Sequence, residues 1–205
     1  ILLMYKKLKK KIFGNKKKEA TTTDAPSKYM PKIKIPVDEL FTINFKKNGG
    51  KFLYCETVQE AFDILEHILK ENHWDKSPLI SLESGVQKLL QQQGYKTTDK
   101  VNKDGILFTP CEHLIAQNGS ILVSDVQFIE YKLHQLPELI IVYATTSQLT
   151  ETIQDGLKQI KKNYPQIPGN ITAIKNFQKT PEAQKDFLSY GSSDKDIYLI
   201  LLENL

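Results

Sequence analysis

The sequence contains no arginine: all 28 of its basic residues are lysines. Arginine is the usual means of gripping a phosphate, a carboxylate or a guanine edge at two points. Its absence argues against a sequence-reading nucleic-acid protein. Anion binding is then left to lysine, to backbone N–H groups or to helix N-termini. Cysteine is almost as scarce. Cys55 and Cys111 are too few for a disulfide framework or an iron–sulfur cluster, and they fit a reducing compartment. No CxxC, CxxxH or HExxH occurs, so a metal would need ligands scattered along the chain. The four histidines, His67, His73, His113 and His134, show no pairing. A dinucleotide fingerprint is missing too, and no cofactor is expected. No apolar run reaches the roughly 18 to 20 residues of a membrane-spanning helix. The opening "ILLMYKKLKKKIFG" has neither the apolar core nor the cleavage site of a signal peptide. These absences point to a soluble, cytoplasmic protein.

The charge that is present is uneven. Residues 4–18 hold eight lysines and no acid, while the whole chain carries only +4, so the remainder is net acidic. Residues 1–30 read as an arm and linker, with Met4, Leu8, Ile12 and Phe13 set among lysines. Such a segment is either a solvated tail or a short basic amphipathic helix that makes weak contact with a membrane surface through residues 1–18. Residues 31–205 read as one domain, long enough to bury about 70% of its unfolded surface without staples.

Within that domain the elements alternate. "PVDELFTINFKKNGG" reads two ways: Phe41, Ile43 and Phe45 alternate as in a strand, but Val37, Leu40, Phe41 and Phe45 form a helical stripe, with Asp38 as a helix start and Gly49 after the stop, and the helix is preferred. "KFLYC" follows as a buried strand. Thr57 and Glu60 form a capping box ahead of Val58, Ala61, Phe62, Leu65, Ile68 and Leu69, which recur at helical spacing. "SPLISL" is a strand, "ESGVQKLLQQQ" a helix and "GILFT" a strand. In "CEHLIAQNGSILVS", Asn118 and Gly119 mark a tight antiparallel hairpin turn. "ELIIVYA" is the most apolar strand and is expected at the centre of the sheet. Thr145, Thr146 and Ser147 are expected to open a helix carrying Leu149, Ile153, Leu157 and Ile160. "NITAIK" and "DIYLILLENL" are the last strands. The pattern predicts an α/β fold with a mostly parallel sheet plus an antiparallel hairpin.

Ligands in such folds sit beyond the carboxyl ends of strands, which brings three polar loops into play. The first is Asn118, Gly119 and Ser120, where glycine permits close backbone approach; the alternative is a plain turn. The second is Thr145, Thr146 and Ser147, expected at a helix N-terminus that favours an anion; ordinary capping is the alternative. The third is Gly191, Ser192 and Ser193. A small anionic ligand is the expected occupant. Catalysis by the consecutive Cys111, Glu112 and His113 is disfavoured, because neighbours in sequence do not converge on one atom. Glu112 alone remains a candidate acid/base or carboxylate nucleophile.

From Pro31 to Leu205 the chain resembles the lactate-utilisation (LUD) family. The resemblance is carried by the order of "NGGKFLYC", "CEHLIAQNGSILVS", "LPELIIVYATTSQLTETI" and "GSSDKDIYLILLENL". It implies a three-layer α/β fold similar to ribose-phosphate isomerases, glucosamine-phosphate isomerases and CoA transferases. It also implies an accessory role in lactate oxidation beside iron–sulfur partner subunits, with no redox centre of its own. The acid that relatives carry before the small hydroxyl residue is Gln117 here, and an amide cannot act as a general base.

Overall fold

The computed structural model describes residues 35–75, 77–175, 177 and 195–204. The lysine-rich arm therefore lies outside the described residues. The first helix, α1 (Val37–Lys47), has Asp38 and Glu39 in its first turn and Lys46 and Lys47 in its last, both matched to the helix dipole. Pro36, not Asp38, holds the cap position. Phe41 and Phe45 lie one turn apart, are fully buried, and stack at 5.3 Å.

Strand β1 (Lys51–Cys55) follows, then α2 (Val58–Glu71). Thr57 caps α2, accepting from the Glu60 N–H at 3.1 Å. The reciprocal arm is displaced by one residue: the Glu60 carboxylate accepts from the Glu56 N–H. The buried stripe is Ala61, Phe62, Ile64, Leu65, Ile68 and Leu69, while Val58 faces solvent. Next come β2 (Leu79–Ile80), α3 (Ser84–Gln92), β3 (Thr97–Thr98) and β4 (Ile106–Thr109). The hairpin strands are β5 (His113–Ile115) and β6 (Ser120–Val123), followed by the single turn α4 (Asp125–Phe128). The chain continues through β7 (Leu139–Thr145), β8 (Leu149–Thr150), α5 (Ile153–Asn163), β9 (Thr172–Ile174) and β10 (Asp196–Leu202).

Six strands form one parallel sheet in the order β1-β10-β7-β4-β2-β3. The apolar β7 is interior to it, between β10 and β4. Because side chains alternate across a strand, β7 feeds two cores. Ile140, Val142 and Ala144 face α1 and the hairpin strands, whereas Leu139 and Ile141 face α2 and α3. The second sheet, ordered β8-β5-β6-β9, is mixed. Its Leu114, Ala116, Ile121 and Val123 close over the large sheet beside Phe41 and Phe45. Its other face packs Ile115 and Leu122 against Ile160 of α5. The result is an α/β sandwich: α2 and α3, then the parallel sheet, then α1 with the small sheet, backed by α5. Among the described residues no helix is long and apolar enough to cross a membrane.

One element differs from its sequence expectation in a way that matters for function. Thr145, Thr146 and Ser147 do not open a helix. A 3-10 turn (Thr146–Gln148) and β8 intervene, and α5 begins at Ile153 under a Thr152 cap. The Thr152 hydroxyl accepts from the Asp155 N–H and donates to the Asp155 carboxylate, a complete local cap. Leu149 is thereby released to pair with Leu114 in the small sheet, and Leu157, expected on the buried side of α5, is 40% exposed.

Candidate functional site

All six strands of the large sheet point the same way, so their last residues gather at one end. From β7 come Thr145, Thr146 and Ser147, and from β10 comes Asn204. The Asn204 N–H donates to the Thr146 hydroxyl at 2.9 Å, and its side-chain amide reaches the Ser147 hydroxyl at 3.3 Å. The Thr145 and Ser147 hydroxyls share a hydrogen bond of 2.8 Å. Gln148 then ties β7 to β4. Its side-chain Oε1 accepts from the Thr145 N–H at 2.7 Å, and its side-chain Nε2 donates to the backbone carbonyls of Cys111 and Glu112. Ser147 is exposed and its two neighbours are half-buried. These hydroxyls form the outer surface of the carboxyl end.

Behind that surface sits Glu112, buried at 8% exposure just past the end of β4. One carboxylate oxygen, Oε1, accepts from the Ser124 hydroxyl at 2.7 Å, the Gln127 amide at 3.0 Å and the Tyr164 hydroxyl at 3.3 Å. Among the described residues the other, Oε2, has the shared Tyr164 contact alone, also at 3.3 Å. Burying a carboxylate is costly unless it is hydrogen-bonded, and here three neutral donors from β6, α4 and the end of α5 offset that cost. Local chemistry positions them. Ser124 and Gln127 form a reciprocal capping box at α4, with the Ser124 N–H donating to the Gln127 side-chain Oε1 at 2.7 Å. Just beyond, Ile129 sits at φ 54, a conformation that a β-branched residue rarely holds. Burial, and then the neighbouring Glu112 charge, raise the Tyr164 phenol above its ordinary value, so Tyr164 stays a hydrogen-bond donor through neutral pH.

The neighbours of Glu112 in sequence do not converge with it on a reacting atom. Burial pushes the Cys111 thiol far above its ordinary value, with Glu112 adding to the shift, so it is not a thiolate at neutral pH. The His113 ring donates through Nδ1 to the Gln148 carbonyl at 3.2 Å. Among the described residues no group of three or more His, Cys, Asp and Glu side chains could hold a metal ion.

The other sequence-predicted loops lie elsewhere. The hairpin is real, but its loop spans four residues, from Ala116 to Gly119, with Ile115 paired to Ser120. Its tip reaches the opposite end of the parallel sheet, against the last turns of α1. Asn44 donates to the carbonyls of Ala116 and Gln117, and Asn48 to those of Asn118 and Gly119. The Asn118 side chain accepts from both the N–H and the hydroxyl of Ser120. Gly119 has φ 67, and a Cβ there would stand 2.4 Å from the backbone of Asn44 and Phe45. Its bare backbone serves a helix, not an open cleft. The tip is joined to the chain beyond residues 145–147 through the Gln117 N–H, which donates to the Glu151 carbonyl at 3.0 Å, while its carbonyls accept from α1. Gly191, Ser192 and Ser193 lie outside the described residues.

Ser124, Gln127, Gln148 and Tyr164 were not legible as site residues from the sequence. The S-x-x-Q spacing of Ser124 and Gln127 was the available signal for two of them. Gln148 and Tyr164 reach the site only through tertiary packing.

Comparison with known proteins bears on the whole chain. A family model described as the LUD domain matches residues 39–202. The crystal structure of a DUF162 family protein from Deinococcus radiodurans superposes with a TM-score of 0.54, at 11% identity, over 82% of this chain and 96% of that one. That likeness concerns the fold. No curated protein matches the sequence. The order of sequence pieces, the layered α/β architecture and a family match spanning nearly every described element lead to one conclusion: the chain belongs to the LUD domain family.

Proposed function

We propose that this chain is an accessory protein of lactate utilisation. It supports the oxidation of lactate to pyruvate beside iron–sulfur partner subunits and holds a small ligand at the carboxyl end of the parallel sheet. Membership of the LUD domain family supports that reading. The observation that carries the reading is the division of labour at that end. Ser147 is exposed beside the half-buried Thr145 and Thr146, while Cys111 and Glu112 are buried. A surface of hydroxyls over sealed reactive groups suits holding a ligand or a partner more than turnover. Asn118, Gly119 and Ser120 have no direct part in this reading, because the tip lies against the backbone of α1, where even a Cβ on Gly119 would stand 2.4 Å from Asn44 and Phe45.

The test is an affinity pull-down from the native cells grown on lactate, using the full chain and a shortened chain beginning at Pro31. Recovery of iron–sulfur oxidoreductase subunits with both supports the accessory role and assigns partner binding to the domain. Recovery with the full chain alone assigns it to the lysine-rich arm. Recovery with neither sinks the reading.

A second reading is favoured by one observation: among the described residues Glu112 Oε2 keeps a single long contact, to a half-buried tyrosine. In that reading the protein is an enzyme acting on a phosphorylated or CoA-linked metabolite, with Glu112 as the reactive carboxylate. It requires that Glu112→Gln abolish turnover while the fold survives.

A further inference from the structure

The outer face of α2 is acidic and open to solvent. Between Cys55 and Asp75 the chain carries Glu56, Glu60, Asp63, Glu66, Glu71 and Asp75 against one lysine, Lys70. The apolar stripe of α2 turns inward, which leaves Asp63, Glu66, Lys70 and Glu71 exposed on the other side. Lys70 offsets Glu66, at 2.5 Å. Glu60 and Asp63 meet neutral donors: the Glu60 carboxylate accepts from the Glu56 N–H, and the Asp63 carboxylate accepts from the Gln59 amide at 3.0 Å. Such bonds leave the negative charge in place. The field of this face reaches its neighbours. After burial, the Glu66 and Asp63 charges raise the Tyr95 phenol above its ordinary value. The other long helices differ: α1, α3 and α5 each carry at least as many lysines as acids.

The chain carries its own opposite charge. Residues 4–18 hold eight lysines and no acid, and their point of attachment is close to the acidic face. α1 runs back along β1, joined to it by a tight turn in which the Gly50 N–H donates to the Phe45 carbonyl at 3.0 Å. The start of α1 therefore lies at the end of β1 where Cys55 leads into Glu56 and the first turn of α2. Residues 19–34 span up to about 50 Å when extended, and α2 is about 21 Å long. That length lets residues 4–18 reach any part of the acidic face. Tethering makes the encounter intramolecular, with an effective concentration of order millimolar.

We propose that residues 4–18 dock on the outer face of α2, over Asp63, Glu66 and Glu71, as an electrostatic contact within one chain. A single exposed ion pair contributes little, so the contact draws on many lysines and on the tether. Its range is set by the Debye length, about 8 Å at physiological salt. α5 is excluded as the seat, because Lys158, Lys161 and Lys162 repel a lysine-rich segment. The docked segment has its lysines occupied, and they are withdrawn from other anionic surfaces until one of higher charge density competes for them. The contact does not rest on the lactate-utilisation reading, and its failure leaves that reading as it stands.

The test is paramagnetic relaxation in the full chain. Cys55 and Cys111 are both buried, so a nitroxide attached at Asn15→Cys marks the lysine-rich segment selectively. At low salt the amide signals of Asp63, Glu66, His67 and Lys70 are expected to broaden beyond those of α5. They are expected to recover in about 1 M sodium chloride, where the Debye length falls to about 3 Å. Asp63→Asn, Glu66→Gln and Glu71→Gln, introduced together, are expected to abolish the broadening. Three neutralisations at other exposed acids, Asp99→Asn, Asp104→Asn and Glu130→Gln, are expected to leave it. Uniform broadening, broadening strongest on another element, or broadening that survives the α2 changes or high salt overturns the proposal. If the α2 variant does not fold, the salt series on the spin-labelled chain alone still decides. Mixing spin-labelled chains with isotope-labelled chains free of nitroxide identifies the occupant. Broadening that passes between molecules as strongly as within one assigns the face to a second copy and overturns the contact within one chain.

Discussion

Replacing Gly119 with alanine tests whether the hairpin glycine exists for a helix or for a ligand. Two costs add. At φ 67 the residue is in the left-handed region, where a Cβ costs about 1–2 kcal/mol. The new Cβ also lands 2.4 Å from the carbonyl carbon of Asn44 and the nitrogen of Phe45, and 2.7 Å from the Asn44 oxygen. These are helix backbone atoms and cannot swing aside. The hairpin must lift from α1, which loosens the Asn44 and Asn48 bonds to its carbonyls, each worth about 1 kcal/mol net. The total is about 3–5 kcal/mol, or a fall in Tm of about 6–20 °C for a chain of this size. Gly94 supplies the control. It has φ 85 and nothing within 4 Å of the added Cβ, so Gly94→Ala should show the conformational cost alone, about 1–2 kcal/mol. Urea unfolding of both variants with equal m-values gives the comparison. If Gly119→Ala costs no more than Gly94→Ala, the close approach to α1 is not what the glycine is for. A variant of unchanged stability that lost ligand binding would return the hairpin to the binding site.

Two further predictions concern the buried end of β4. Glu112→Gln keeps an acceptor for Ser124 and Gln127 and gives up only charge assistance, so it should cost about 1–2 kcal/mol. Glu112→Ala strands three buried donors and should cost about 3 kcal/mol or more by urea unfolding; equal costs for the two would mean the donors are satisfied elsewhere. The Cys111 thiol should make the protein alkali-sensitive. Folding holds it protonated, so once pH passes its ordinary value of 9.0 the native state binds more protons than the unfolded chain. Stability then falls as pH rises, by about 1.4 kcal/mol per pH unit. Cys111→Ala should remove that slope, while Cys55, raised by burial to about 12, contributes equally to both chains. Parallel stability–pH curves for parent and variant would refute the assignment.

The sequence made the large sheet legible because each of its longer strands is a continuous apolar run, as burial on both faces requires. Periodicity likewise distinguished α1 from a strand: Phe41 and Phe45 share a helical face, although Phe41, Ile43 and Phe45 also alternate. The small sheet was harder to see. "NITAIK" reads as a strand and contains β9, but β8 has two residues, too short for any period to register. The same shortness hid the true start of α5. Thr145, Thr146 and Ser147 are as good a cap as Thr152 in composition, and only the pairing of Leu149 with Leu114 selects the later one. For the site the limit is different in kind. Asn118 and Gly119 advertise a special backbone, but a close approach by α1 and a close approach by a ligand select the same glycine. Glu112 was legible as a lone acid, while the residue that makes its burial tolerable, Tyr164, arrives from 52 positions away. Lys195 was visible only as one lysine among 28; its burial, and its bond to the Leu136 carbonyl, are properties of the fold.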